Sequence, residues 1–245
     1  MSIAEDIVKM TKKEKLHFSL LDPDKQNPEN AGSIAKTSEE AGSSAIMVGG
    51  STLISQRQVD DTVKAIKDNT DLPVILFPSG ARFLSKYADA VFFMSLLNSR
   101  NLEYVIREHV KGAPFVKRSG VEPISMGYVI VEPGMTAGRV GEADLIKKDD
   151  IETAVGYALA SQYLGMKLFY LEAGSGAPFP VSNKMIKAVK QSIDIPLIVG
   201  GGIRSVETAR QKAHAGADII ITGTKLEEEK NLKLALTNII KAIEE

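Results

Sequence analysis

Short apolar runs alternate with stretches of helical periodicity along the whole chain. Most of these runs are apolar at consecutive positions, as is typical of parallel strands that are buried on both faces. Eight runs predict strands at Leu16–Leu21, Ala45–Val48, Val74–Phe77, Ala90–Met94, Ile124–Val131, Leu168–Leu171, Leu197–Val199 and Ile219–Thr222.

The stretches between the strands predict helices. Helical periodicity covers Gln56–Asp68, Asn98–Val110, Asp149–Leu164, Ser182–Ser192 and Ser205–Ala215. Ser182 and Ser205 stand where N-cap residues are expected, and Asp149 and Asp150 suit a helix N-terminus. With an N-terminal helix and a closing helix over Glu227–Glu245, the order of elements favours a closed (β/α)₈ barrel, a TIM barrel, over an open sheet.

The third strand–helix unit departs from this pattern. Only Pro78–Ala88 separates the third and fourth strands, which is too short for a full helix and two loops. The outer ring would then either have a gap that exposes an apolar side groove, or carry a merely shortened surface helix. After the fifth strand, Pro133–Leu145 is the longest glycine-rich loop. In a barrel it would lie on the catalytic rim, where such a loop can act as a lid.

Length and composition indicate one domain of ordinary soluble type. The 245 residues suit one barrel, so we predict a single domain over 1–245. A net charge of −1, without basic clusters interleaved with aromatic residues, argues against a nucleic-acid partner. Neither a signal peptide nor a long apolar run is found, so we expect a cytoplasmic protein with at most peripheral membrane contact.

The residue types present restrict the chemistry. The absence of cysteine excludes disulfides, thiolate nucleophiles and thiolate metal sites. His17, His109 and His214 are widely separated without metal-ligand spacing, so we expect structural or surface roles for them. A metal ion would therefore need oxygen ligands.

Three glycine-bearing turns follow predicted strands in the C-terminal half. They lie within Lys167–Ala177, Pro196–Val206 and Asp218–Leu226. Because barrels bind phosphate with the loops after their last two strands, Gly201, Gly202 and Gly223 predict a backbone phosphate site. The alternative is a pair of ordinary turns. Arg204 and Lys225 could add positive charge to the phosphate or be solvated cations at helix ends.

Oxygen-bearing side chains follow the first two predicted strands. Asp22 and Asp24 flank a proline after the first strand, and Ser51 and Thr52 follow two glycines after the second. Since the carboxyl ends of barrel strands share one face, a cation such as Mg²⁺ held here would face the phosphate site. Each motif also fits a turn whose side chains cap the next helix.

Glu172 follows the sixth strand beside glycines that are predicted to bind an anion. A carboxylate in that position is electrostatically unfavourable unless it has a role, such as taking the proton of a substrate hydroxyl. Tyr170 shares the same strand face and could hold Glu172 or the substrate through its hydroxyl. The alternatives are a buried carboxylate paired with Lys or Arg, and a tyrosine that only packs in the core.

Six motifs, taken together, resemble the geranylgeranylglyceryl phosphate synthases of archaea and their bacterial heptaprenylglyceryl phosphate synthase relatives. Leu20 stands where the bacterial relatives usually carry lysine, so the chain is more similar to the archaeal proteins. The motifs span nearly the whole chain in family order, at Leu21–Lys25, Val48–Ser51, Met126–Gly134, Tyr170–Gly176, Ile198–Ser205 and Ile221–Thr224.

This resemblance implies a (β/α)₈ barrel without a regular third helix, which transfers a geranylgeranyl group from geranylgeranyl diphosphate to the C3 hydroxyl of sn-glycerol 1-phosphate in archaeal phospholipid biosynthesis. It implies a homo-oligomer and Mg²⁺ held by Asp22 and Ser51. It also implies catalysis by Glu172, as the base, with Tyr170. The residues it implies for binding glycerol phosphate are Tyr170, Leu171, Glu172, Ala173, Gly174, Ser175, Gly176, Gly201, Gly202, Gly223 and Thr224.

Other interpretations remain at this stage. The prenyl chain could be longer, as in the heptaprenyl enzymes, since groove depth depends on side chains that sequence does not place. A barrel enzyme acting on sugar phosphates, or a noncatalytic phosphate-binding barrel, would also explain the C-terminal glycines. Whether Asp24 joins Asp22 in the metal shell is open.

Overall fold

The computed structural model describes residues 2–50, 55–223 and 231–245. Its eight parallel strands close into a barrel in chain order, and β1 pairs with β8. The predicted (β/α)₈ barrel is confirmed, and each predicted strand is present with only small shifts at its ends. The strands are β1 Leu16–Leu21, β2 Ala45–Val48, β3 Val74–Leu76, β4 Ala90–Leu96, β5 Glu122–Ile130, β6 Leu168–Glu172, β7 Leu197–Gly200 and β8 Ile219–Thr222.

Most of the helices surround the barrel and begin where the sequence indicates. The Ser182 hydroxyl accepts the Met185 N–H, and the Ser205 hydroxyl accepts the Thr208 N–H, so both act as N-caps. Asp150, not Asp149, caps α6. The described helices are α1 Ile3–Met10, α2 Pro28–Ala41, α3 Gln56–Lys67, α4 Glu108–Ser119, α5 Met135–Val140, α6 Ile151–Tyr163, α7 Asn183–Ser192, α8 Val206–Ala215 and α9 Leu232–Glu244.

The helix predicted over Asn98–Val110 lies further along the chain. A π-helical turn, Glu103–Arg107, runs directly into α4. Asn98 lies outside the helix, where its Nδ2 donates to the carbonyl of Ile130 at 2.9 Å. Polar side chains that bond to backbone groups compete with helix formation. The predicted boundaries were therefore wrong.

Two predicted loops have the following structures. The interval after β3 contains one 3₁₀ turn, Ala81–Phe83, so the ring of helices has a gap between α3 and α4. This confirms the gap that the sequence suggested. The glycine-rich segment Pro133–Leu145 is not a plain loop, because it contains α5.

Buried apolar side chains fill the barrel and the layer around it. Phe18, Met47, Phe92 and Met126 are fully or almost fully buried inside the barrel. Two further clusters lie between the strands and the helices. Because side chains fill the interior, a ligand has room only at the ends of the barrel strands. Among the described residues, no helix has the length and apolar character needed to cross a membrane.

Asp218 carries a charge at the amino end of β8, where its side chain is only 5% exposed. Its carboxylate lies 2.6 Å from Lys190 Nζ and 3.4 Å from Lys15 Nζ. It also accepts the Leu197 N–H at 2.9 Å. The carboxylate therefore joins β7, α7 and the segment before β1.

We expect Asp218→Ala to lower the free energy of unfolding by about 3 kcal/mol, because the change leaves a buried N–H and two ammonium groups without their acceptor. Denaturant unfolding followed by circular dichroism measures this loss. Glu40→Ala is the matched control, since Glu40 bonds Lys233 on the exposed surface and should contribute little. Equal stability of the two variants would contradict the expectation.

Candidate active site

One cavity borders the carboxyl ends of several barrel strands. Its lining includes Asp22 after β1, Gly50 after β2, Glu172 at the end of β6, Ser175, and Gly223 after β8. The structure thus brings the N-terminal acidic motif and the C-terminal glycine motifs to one space. The order of the motifs in a barrel predicted that these distant segments would lie close together.

The same cavity extends toward the gap between α3 and α4. This outer part is lined mainly by apolar side chains from β4, the segment after β3, and α4. Tyr104 and Gly112 belong to it although the sequence analysis did not single them out. We define the apolar groove as Phe77, Ala81, Leu84, Phe93, Met94, Leu96, Tyr104 and Gly112.

Glu172 is buried at the end of β6 without a positive partner among the described residues. Its Oε1 accepts the Gly174 N–H at 2.6 Å, and its Oε2 accepts the Tyr170 hydroxyl. Burial raises the pKa of Glu172, whereas these two hydrogen bonds oppose the rise. The alternative of a carboxylate paired with Lys or Arg is thus not supported in the described part of the chain. A buried, unpaired carboxylate with a raised proton affinity is suited to act as a general base.

Tyr170 holds Glu172 and packs in the barrel core at the same time. Its ring centroid lies 5.1 Å from that of Tyr128 and 5.9 Å from that of Phe77. Burial, reinforced by the negative charge of Glu172, raises the pKa of Tyr170 well above its ordinary value. Tyr170 therefore stays protonated and donates to the carboxylate.

Tyr128 is a site residue that was not among those predicted from the sequence. Tyr128 lies opposite Tyr170 in the pairing of β5 with β6, and it lines the cavity. It lies within the predicted fifth strand. Only the pairing of β5 with β6 shows that its ring lies beside Tyr170 at the cavity. Strand alternation correctly places it on the same inward face as Met126 and Ile130, but does not show which of these side chains borders the cavity.

The glycine turns after β6 and β7 lie against each other. Gly174 and Gly176 have φ values of 100° and 76°, and Gly201 and Gly202 have values of 82° and 71°. These left-handed conformations favour glycine over any residue with a Cβ atom. Arg204 donates from Nη2 to the Gly176 carbonyl at 2.6 Å, so it holds the first turn rather than standing free as a cation.

The remaining predicted phosphate-binding residues differ in orientation. Leu171 and Ala173 pack in the cluster between strands and helices, away from the cavity. The Ala173 N–H donates to the Gly200 carbonyl at 3.2 Å, so it is engaged in the sheet. Ser175 and Gly223 line the cavity. Thr224 and Lys225 lie outside the described residues.

Asp22 occupies the other side of the cavity. Burial raises the pKa of its carboxyl group, and the Asp24 N–H, which donates to Oδ1 at 3.1 Å, and the charge of Lys25 oppose this rise. The next helix is capped by Asn27, so the interpretation of Asp22 and Asp24 as its caps is wrong.

The surroundings of Asp22 bear on the predicted metal. Gln58 donates to the Pro23 carbonyl at 2.6 Å and so holds the turn that carries Asp22. In the described ranges, no group of three or more acidic or histidine side chains could hold a metal ion. Ser51 and Thr52, the other predicted oxygen donors, lie outside those ranges. A cation beside Asp22 would therefore need oxygens from elsewhere, such as those of a substrate.

The histidines do not form a site together. His17 is a buried residue of β1, and His214 lies in the last turn of α8. His109 lines the cavity, with its ring edge to face against Phe93 at 4.6 Å. Burial lowers the pKa of His109, so its imidazole tends to be neutral there.

The chain is similar to known proteins over nearly its whole length. The PcrB family matches residues 8–243. A geranylgeranylglyceryl phosphate synthase from Thermoplasma volcanium is 52% identical over 240 residues, covering 98% of this chain and 95% of the relative. Another from Thermococcus sibiricus is 56% identical over 237 residues, covering 96% of this chain and 93% of the relative.

A solved structure shares the whole fold. It is (S)-3-O-geranylgeranylglyceryl phosphate synthase from Thermoplasma acidophilum in complex with its substrate sn-glycerol-1-phosphate. Its TM-score to this chain is 0.97 at 49% identity, covering 100% of this chain and 99% of the other. The chain therefore belongs to the PcrB family and, within it, to the geranylgeranylglyceryl phosphate synthases.

Proposed function

We propose that this protein joins the C3 hydroxyl of sn-glycerol 1-phosphate to the geranylgeranyl group of geranylgeranyl diphosphate and releases diphosphate. The observation that carries the proposal is the continuity of the apolar groove with the polar end of the cavity. Glu172, Ser175 in the turn after β6 and Gly223 after β8 line this polar end, and the turn that contains Gly201 lies directly against Glu172. A substrate with a long apolar tail and a charged head requires both parts.

Glu172 is proposed to act on the acceptor. Glycerol phosphate would bind with its phosphate at the glycine turns, because backbone N–H groups near Gly202 and Gly223 can bind an anion without a side chain in the way. Its C3 hydroxyl would then meet Glu172. The proton passes to the carboxylate as the new C–O bond forms, while the bond between C1 of the prenyl group and the diphosphate oxygen breaks. Tyr170 keeps Glu172 oriented by its hydrogen bond.

Aromatic rings would stabilise the donor's reacting carbon. Positive charge develops at the allylic C1 as diphosphate leaves, and the face of an aromatic ring attracts such charge. Phe77, Tyr128 and Tyr170 form one aromatic cluster, with the centroids of Phe77 and Tyr128 5.5 Å apart. Phe77 and Tyr128 of this cluster line the cavity together with Glu172, and Tyr170 is buried against them.

Asp22 and Ser51 are proposed to hold Mg²⁺. The Asp22 carboxylate fits a cation, because burial disfavours its charge and the nearby charge of Lys25 only partly offsets this effect. Protein sites for Mg²⁺ often supply only one or two carboxylates and leave the other positions to water and substrate phosphate. When bound, the ion would stabilise the negative charge of the departing diphosphate.

Two alternatives predict different substrates. A sugar-phosphate enzyme would use the glycine turns but would have no substrate for the apolar groove. A noncatalytic phosphate-binding barrel would not need a buried, unpaired Glu172. Incubation of the protein with radiolabelled sn-glycerol 1-phosphate and a series of prenyl diphosphates distinguishes them. The proposal requires labelled lipid with a maximum at geranylgeranyl diphosphate, whereas a maximum at heptaprenyl diphosphate would assign the bacterial type of activity.

We also propose that copies of the chain associate. Leu102 directly precedes the π-helical turn, Ile106 lies on that turn and Val110 lies on α4. These residues are spaced four apart and are 55%, 51% and 67% exposed, respectively. An exposed stripe of large apolar side chains is typical of an interface. Light scattering should give a mass above that of one chain, and Ile106→Glu should lower it.

Gly112 provides a test of where the prenyl chain lies. A Cβ atom at this position would be 3.1 Å from Leu84 Cδ1 and 3.5 Å from Ala81 Cβ, so a larger side chain would fill the groove. We expect Gly112→Leu to reduce kcat/KM for geranylgeranyl diphosphate roughly tenfold relative to that for the shorter geranyl diphosphate. Steady-state kinetics with both donors measures the ratio.

Gly156→Leu is the matched control for this prediction. Gly156 lies in α6, and a Cβ atom there would meet nothing within 4 Å. The same substitution should leave the donor ratio unchanged. If Gly112→Leu reduced the use of both donors equally, the prenyl chain would not extend past this helix.

A further inference from the structure

His17 is the centre of a buried polar network that the proposed reaction does not use. It alternates with Leu16 and Phe18, which point into the barrel, so its side chain faces the helices. Its Nδ1 lies 2.9 Å from Ser43 Oγ, and its Nε2 lies 2.8 Å from Thr222 Oγ1. Both ring nitrogens are therefore hydrogen-bonded although the residue is only 1% exposed.

The imidazole in this network is neutral at ordinary pH. Burial lowers the pKa of His17 to about 4, and no charged group contributes to the shift. A neutral imidazole has one donor and one acceptor nitrogen, so it can bond two hydroxyls at once. Ser43 in turn lies 3.1 Å from Ser19 Oγ, which extends the network along β1.

The network reaches the phosphate end of the cavity through Thr222. This residue is the last of β8, and the next residue, Gly223, lines the cavity. Thr222 is also opposite Ser19 in the pairing of β1 with β8. His17 thus joins the end of β8 to β1 and to the turn before β2.

Burying polar side chains between the strands and the helices is energetically less favourable than burying apolar ones there. Apolar side chains occupy the equivalent layer around the other strands, and they need no hydrogen bonds. Buried hydroxyls contribute only when their partners are correctly placed, and such a network then permits one arrangement. The hydrogen bond with His17 holds the Thr222 side chain in one rotamer, and so restrains the backbone immediately before Gly223.

We propose that His17 is a positioning residue for the acceptor's phosphate, acting through Thr222 to fix the backbone of Gly223. The inference rests on the proposed function, in which Gly223 binds the phosphate of sn-glycerol 1-phosphate. The buried His17 side chain on β1 would thereby contribute to the affinity for sn-glycerol 1-phosphate.

Thr222→Val tests the link because valine keeps the shape and removes the hydroxyl. We expect KM for sn-glycerol 1-phosphate to rise on the order of tenfold, with KM for geranylgeranyl diphosphate unchanged. Thr222→Ser keeps the hydroxyl and should restore most of the affinity. His17→Asn keeps a polar group near the Nδ1 position but has none at the Nε2 position, so it removes the link to Thr222 from the other side and should raise the same KM.

Thr62→Val is the matched control for the loss of a buried hydroxyl. Thr62 is fully buried in α3, and its hydroxyl has no hydrogen-bond partner within the described residues. It should leave both KM values unchanged. Thermal unfolding of every variant shows whether a change in KM follows from a loss of stability.

Inhibition by inorganic phosphate, which competes with sn-glycerol 1-phosphate, tests the role of His17 separately from the proposed prenyl transfer. Its inhibition constant should rise in Thr222→Val in proportion to the acceptor KM. If Thr222→Val and His17→Asn lowered the melting temperature but bound acceptor and phosphate as the wild type does, His17 would be only structural and the inference would be overturned. If the wild-type protein made no prenylated product, the proposed function would fail, and phosphate binding measured by calorimetry would still decide the role of His17.

Discussion

Replacement of Glu172 by glutamine should lower kcat by about 10²- to 10⁴-fold, which is the usual contribution of a general base. Glutamine keeps the shape of the side chain and can still accept the Gly174 N–H, so the turn that binds phosphate should survive. Binding of sn-glycerol 1-phosphate, measured by calorimetry, should therefore change little. The loss would lie in the chemical step, which single-turnover kinetics measures directly.

The pH dependence of the wild-type protein should agree with this role. Burial raises the pKa of Glu172 above its ordinary value of 4.5. The base acts only when deprotonated, so kcat should fall as the pH falls through this raised pKa. The Glu172→Gln variant should lack that acidic limb.

Tyr170→Phe is the control for orientation. It removes the hydroxyl that bonds Glu172 Oε2 but leaves the base, so we expect a smaller loss of kcat than in Glu172→Gln. Unchanged turnover in Glu172→Gln would exclude Glu172 as the base. Loss of acceptor binding together with turnover would instead indicate that Glu172 only shapes the glycine turn.

Replacement of Asp22 by asparagine should lower turnover at a fixed Mg²⁺ concentration by about 10²- to 10³-fold, since charge stabilisation at the leaving group is worth several kcal/mol. Asparagine retains the oxygen that accepts the Asp24 N–H, so the turn should keep its shape. Excess EDTA should abolish turnover of the wild-type protein. Titration of Mg²⁺ after chelation should show a weaker apparent affinity in the variant.

A direct measurement separates metal binding from turnover. Mn²⁺ can replace Mg²⁺ as a paramagnetic probe, and its binding to protein with inorganic diphosphate can be followed by electron paramagnetic resonance. Asp22→Asn should weaken this binding, and Asp24→Asn shows whether the second carboxylate takes part. Full wild-type turnover in excess EDTA would contradict the proposed role of Mg²⁺.

Local patterns in the sequence predicted much of the fold. Largely apolar runs identified all eight strands, because a strand buried on both faces carries few polar residues. Ser182 and Ser205 marked two helix starts by their own hydrogen bonds. The helix start predicted at Asn98 was wrong, since the Asn98 side chain bonds to the backbone carbonyls of Ile130 and Asp144, which are distant in the sequence.

Some parts of the candidate site could be predicted from the sequence and others could not. The turns around Gly174 and Gly201 could be read locally, because a left-handed backbone requires glycine. The contact of the Tyr128 ring with the cavity and the hydrogen bond from Arg204 to the turn after β6 could not be predicted in this way. Both depend on contacts between different strands and loops, which no local pattern encodes.

By itself, the sequence determined the closed barrel, the motifs at its strand ends and the family, because these depend on periodicity, turn chemistry and order along the chain. Only the tertiary structure decided that Glu172 lacks a positive partner among the described residues, and that the gap after β3 opens into an apolar groove. It also decided that His17 reaches Thr222. Burial and side-chain partners come from packing between segments that are distant in the sequence, and these determine the pKa of a carboxylate and the shape of a cavity.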